Sequence, residues 1–97
     1  MDTYVIMRRG GWSTADELQA ATARSAAEDK RMPDDVAWIR TYALAETDGT
    51  FGSVCVFEAS SPEAIRRHFA AAELPLDEIV KVGGTVIVRP DPVPAAT

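Results

Sequence analysis

Near the middle of the chain two runs rich in β-branched and aromatic residues, Val36–Ala45 and Phe51–Ala59, flank Thr47-Asp48-Gly49-Thr50. Asp-Gly suits a tight hairpin turn because both residues accept positive φ. The segment therefore predicts an antiparallel hairpin, and the rest of the chain must be arranged around it. Upstream, Thr3–Arg9 reads as a first strand, broken by Gly10-Gly11. Ser13 or Thr14 can cap a helix, and Thr14-Ala15-Asp16-Glu17 has capping-box form. The alanine-rich stretch that follows has high helix propensity to about Asp29, where Met32-Pro33-Asp34-Asp35 ends it. Downstream, Ser61 caps a second helix with Pro62 in its first turn; Ile65, Phe69 and Ala72 form its apolar stripe and Leu74-Pro75 stops it. Ile79–Val82 reads as a fourth strand, and Gly83-Gly84 offers a turn into a further strand at Thr85–Arg89.

The order βαββαβ is the split βαβ arrangement of ferredoxin-like α+β domains. It predicts an antiparallel sheet with two helices on one face. Residues 1–89 form the expected domain, and residues 90–97, starting at Pro90-Asp91-Pro92, a flexible Pro-rich tail. Two helices cover only one face of such a sheet, so the other must meet something or stay wet.

Composition removes several classes. The chain of 97 residues carries a net charge of -5, and no Lys/Arg cluster exceeds a pair. Nucleic-acid binding needs a basic footprint to displace counterions from phosphates, and an anionic membrane repels the same charge. The single cysteine, Cys55, allows no internal disulfide, in keeping with a reducing compartment. The first residues place an acid before a short apolar run and arginines after it, the reverse of a secretory signal, and no apolar stretch is long enough to span a bilayer. The expected location is the cytoplasm.

A two-residue Asp48-Gly49 turn fixes a register in which Leu44 opposes Ser53, Tyr42 opposes Cys55, Arg40 opposes Phe57 and Trp38 opposes Ala59. Opposed residues share a face and alternate residues switch faces. One face then carries Trp38, Arg40, Tyr42, Cys55 and Phe57; on the first strand either Tyr4, Ile6 and Arg8 or the residues of opposite parity continue it, and a bulge at Gly52 would shift the whole third strand. The other carries Ile39, Thr41, Ala43, Val54, Val56 and Glu58, small enough to lie against helices. The large, mixed face suits a dimer core, a ligand cavity, or a cavity enclosed by a dimer. Its candidate ligand-binding residues are Arg8, Trp38, Arg40, Tyr42, Cys55 and Phe57. Arginine among aromatic rings suits a planar or anionic organic ligand, although an intramolecular partner at the rim explains a strand arginine equally well.

Three further side chains carry potential chemistry. His68, the only histidine, sits on the shoulder of the second helix's stripe, as a packing residue or a proton-transfer group. Cys55, in mid-strand, reads as a small hydrophobe and lacks the flanking cues of an activated thiol. Glu58, aimed at the helices in this register, is either a salt-bridge partner or an acid–base or metal-binding carboxylate. One histidine is too few for a dedicated transition-metal cage.

The runs Val36-Ala37-Trp38-Ile39-Arg40-Thr41-Tyr42, Val54-Cys55-Val56-Phe57-Glu58-Ala59 and Pro62-Glu63-Ala64-Ile65-Arg66-Arg67-His68, with Leu74-Pro75 and the stretch from Asp77 to Val82, resemble a small bacterial family whose members are often labelled nickel-binding proteins. The resemblance covers about half the chain. It implies a ferredoxin-like fold paired into a dimeric α/β barrel, and nickel or another divalent metal as a ligand, for which Glu58 and His68 are the candidates. The resulting expectation is a homodimeric binding protein holding a small ligand or divalent metal between its sheets. The alternative is a cofactor-independent isomerase or monooxygenase of dimeric-barrel type, with Glu58 or His68 as acid–base group.

Overall fold

A computed structural model describes residues 1–93. Its elements follow the expected order: β1 (Asp2–Trp12), α1 (Ala15–Asp29), β2 (Val36–Ala45), β3 (Phe51–Ala59), α2 (Pro62–Ala71) and β4 (Glu78–Lys81). The strands form one antiparallel sheet in the order β2-β3-β1-β4. This is the ferredoxin-like topology, with the crossovers through α1 and α2 placing both helices on one face.

The helix termini are set by side chains. Thr14 accepts a hydrogen bond from the Glu17 amide, while the Glu17 carboxylate accepts one from the Ser13 amide. At α2, Ser61 Oγ accepts from the Ala64 amide and Pro62 occupies the first turn. The end of α2 is closed by Glu73 in the left-handed region (φ 56°), which lets the Leu74 amide reach back to the Phe69 carbonyl at 2.8 Å.

Two local features differ from the sequence expectation. The first is that β1 does not stop at Gly10-Gly11 but continues to Trp12 through a bulge: Arg8 pairs with Ser53 and Trp12 with Phe51, so residues 9–11 oppose only Gly52. Gly10 adopts φ 54° there. The Glu46 carboxylate braces the bulge, accepting from the Gly10 amide at 2.8 Å and from Arg9 Nε and Nη2. The bulge turns Trp12 inward onto Leu18 and Ala21 of α1. Gly52 is required opposite it, because an added Cβ would lie 2.5 Å from the Arg8 carbonyl oxygen. Gly52→Ala is expected to cost about 1–3 kcal/mol, as other forced overpacking does. Urea unfolding should show a lower midpoint with an unchanged slope.

The second difference is the hairpin register. The Glu46 amide bonds the Thr50 carbonyl at 3.0 Å, leaving a three-residue loop of Thr47, Asp48 and Gly49, with Gly49 at φ 88°. Such a loop ends in a left-handed glycine, and Asp48 stabilises it by accepting from the Thr50 amide and hydroxyl. One more loop residue than a two-residue turn shifts every pair by one: Leu44 opposes Gly52, Tyr42 opposes Val54, Thr41 opposes Cys55 and Arg40 opposes Val56. A further irregularity at Ile39 then pairs Trp38 with Phe57.

The core lies between sheet and helices. Tyr4, Ile6, Val36, Phe57 and Ala59 of the sheet pack on Ala64, Ile65 and Phe69 of α2. No strand forms at Thr85–Arg89 within the described residues, where the chain runs on without regular structure. The end of the expected tail, residues 94–97, lies outside the described residues.

Candidate functional site

The corrected register divides the expected ligand-binding set between the two faces. Phe57 is 1% exposed beneath α2, with its ring 5.1 Å from His68 and 5.8 Å from Phe69. Trp38 stacks on Phe57 at 6.3 Å, and both Trp38 and Cys55 pack against the same core. These three residues therefore belong to the helix side and not to a shared face with Arg40 and Tyr42. Tyr4 and Ile6 are core residues for the same reason. Arg8 is engaged at another place, with Nη1 donating to Asp77 Oδ1 at 2.9 Å and its stem lying against Gly11. Arg40 and Tyr42 share the open face with Val56 and Val5, and Glu58, two residues along from Val56, faces the same way, away from the helices.

On the helix side, most of the candidate polar groups are paired with one another, His68 Nδ1 being the exception. Trp38 Nε1 donates to Thr41 Oγ1 at 2.8 Å, and Thr41 Oγ1 donates to Cys55 Sγ at 3.2 Å. Burial pushes the Cys55 thiol above its ordinary pKa, outweighing the hydrogen bonds from Thr41 and Ser53, so the thiol is protonated and unreactive at neutral pH. His68 lies in the middle of the α2 stripe, fully buried, and not on its shoulder. Its Nε2 is 3.0 Å from Ser25 Oγ of α1, and Nδ1 has no hydrogen-bond partner among the described residues. Burial holds its pKa below the ordinary value, against the opposing pull of Asp29 and Glu28, so the ring is neutral at pH 7. A cavity of about 20 Å³ between α1 and the sheet, lined by Trp12, Leu18, Ser25, Trp38, Thr41 and Cys55 among others, has room for about one water molecule and none for an organic ligand.

The open face offers the space. Residues 82–91 cross it and border an open groove of about 770 Å³ lined by Thr3, Val5, Arg40, Tyr42 and Val56 on the sheet side. The segment is pinned at Asp91: Oδ2 accepts from Tyr42 Oη at 2.6 Å and from Arg40 Nη1 at 3.1 Å. The Tyr42 hydroxyl, and then the Asp91 charge, hold the Arg40 guanidinium above its ordinary pKa. Nothing in the sequence singles out Asp91 except its place between two prolines in a segment otherwise read as tail.

Glu58 and His68 do not converge, since the sheet separates them. Among the described residues no group of three or more His, Cys, Asp or Glu side chains is placed to hold a metal ion. The donor set thus does not fit a metal site contained in one subunit. No described helix is long and apolar enough to cross a membrane.

The fold and its open, groove-bearing face define a ferredoxin-like α+β domain. The chain belongs to the SCO4226-like family of nickel responsive proteins, whose family model matches residues 4–82. Among solved structures it is similar to SCO4226 from Streptomyces coelicolor A3(2), with 26% identity and a TM-score of 0.70, covering 87% of this chain and 99% of that one. No curated protein matches.

Proposed function

We propose that the protein is a homodimeric binding protein whose two open sheet faces meet, pairing into a dimeric α/β barrel, and hold a small organic ligand between them. The observation that carries this reading is the sheet face that no helix covers, crossed only by residues 82–91. Both helices lie on the other side, yet the open side presents Val5, Val56 and Tyr42, and the segment crossing it exposes Val86, Ile87 and Val88 at 91%, 76% and 81%. Large apolar side chains exposed together on one side of a small domain are characteristic of an interface. A second copy is the natural occupant, because the same patch on both subunits closes under a two-fold axis and the added burial supports a domain of only 97 residues. The groove of about 770 Å³ lies within the range of small-molecule sites.

Nickel enters through the family's description alone. Glu58 and His68 lie on opposite sides of the sheet, and the proposed ligand site is the open face.

Sedimentation velocity tests the assembly. The unmodified protein should sediment as a dimer at micromolar concentration. Val56→Glu puts a charge on the open face and should shift it to monomer while the far-UV circular dichroism stays unchanged. A monomer in the unmodified protein, or a Val56→Glu dimer as tight as the original, contradicts the reading.

A further inference from the structure

We infer that Arg40 and Tyr42 form a carboxylate-binding pair and that Asp91 is its tethered, displaceable occupant, so that the open-face ligand is a small organic carboxylate competing with the chain's own C-terminal segment. This rests on the proposed ligand site between the sheets and specifies its chemistry. Two donors converge on one oxygen of Asp91, Tyr42 Oη at 2.6 Å and Arg40 Nη1 at 3.1 Å, and Arg40 Nη1 also donates to Tyr42 Oη at 3.4 Å. Because the hydroxyl accepts from a cation while donating to an anion, it is polarised toward a negatively charged guest.

Asp91 fills the pair poorly. The contact uses one carboxylate oxygen and one guanidinium nitrogen, whereas arginine's planar fork favours two parallel bonds to a carboxylate. Both members of the ion pair are about half exposed, which makes it weak and readily exchanged. The eight-residue connection between Val82 and Asp91, with Gly83-Gly84 at its start, presents Asp91 at a local concentration on the order of millimolar. A free carboxylate that engages the fork bidentately, with an apolar body against Val5 and Val56, has contacts that Asp91 lacks. The net charge of -5 gives no long-range attraction for anions, so recognition is confined to this pair.

Benzoate is the probe and benzamide its uncharged control, each titrated at constant ionic strength and followed by 1H–15N NMR. Benzoate should shift the resonances of Val5, Arg40, Tyr42 and Val56. Removing the tethered competitor with Asp91→Ala should tighten its apparent Kd by about three- to tenfold. Arg40→Ala should abolish the shifts, and benzamide should leave all forms unchanged. Equal benzoate affinity in the unmodified and Asp91→Ala proteins, benzamide binding as well as benzoate, or an Asp91→Ala protein with no open-face shifts would each overturn the inference. Sedimentation of the same samples separates the two levels: a dimer with any of those results discards only the carboxylate assignment, while a monomer discards the underlying reading as well.

Discussion

Phe57→Ala is expected to destabilise the fold by about 3–5 kcal/mol, the range for truncating a fully buried phenylalanine. Phe57 touches Trp38 on the sheet and His68 and Phe69 on α2, so its ring joins both layers of the core. Domains of this size hold about 5–15 kcal/mol in all, and each kcal/mol is worth roughly 4–8 °C in Tm for a chain of up to about 100 residues. The variant should therefore be partly unfolded near 37 °C. The two-residue-turn register would have put Phe57 on the open face, where truncation changes association and spares the fold. Urea unfolding of Phe57→Ala beside Arg40→Ala decides between the registers: the first should lose most of the stability, the second little.

The second large effect is acid sensitivity through His68. The ring is fully buried and its pKa lies below the ordinary 6.5, chiefly because of burial. The unfolded chain therefore takes up this proton more readily than the folded one. The contribution is fully present above about pH 6.5 and is lost as the pH falls from there toward the folded pKa. The slope can reach about 1.4 kcal/mol per pH unit for one proton. Glu28 and Asp29 on α1 moderate the shift without reversing it. The carboxylates Glu46, Asp48 and Asp77 have lowered pKa values, so the stability they contribute is lost only as the pH falls below their ordinary values near 4. The two windows are separable. Urea unfolding from pH 7 to 5 should show stability falling with pH, and His68→Gln, whatever its absolute stability, should be flat over that interval. An equal slope in both proteins would show that His68 is not the group responsible.

Much of the fold was legible in local sequence. The capping residues Thr14 and Ser61, Pro62 at the start of α2 and the alternation of both central strands are short-range signals, and each acts within a few residues of where it is written. What local reading missed were single-residue events with long consequences. Thr47-Asp48-Gly49-Thr50 fits a two- or a three-residue loop equally well, and the choice depends on whether Glu46 pairs with Thr50. One residue of difference moved Phe57 and Cys55 to the core and Glu58 away from the helices. The irregularity at Ile39 then placed Trp38 with Phe57, while Arg40 and Tyr42 stayed on the open face. The bulge at Gly10-Gly11 looked like a strand end because glycine serves both purposes; its brace, Glu46, lies 36 residues away. The Asp91 contact spans 49 residues to Tyr42 and had no periodic pattern to announce it.

The most direct test of the account is a mixed dimer of 13C-labelled and unlabelled subunits, read by isotope-filtered NOEs. Intersubunit cross-peaks are expected from the methyl groups of Val5 and Val56, the open-face residues beside Arg40 and Tyr42. Cross-peaks arising only from the outer surfaces of α1 and α2, or none from the open face at concentrations where the protein is dimeric, would contradict it.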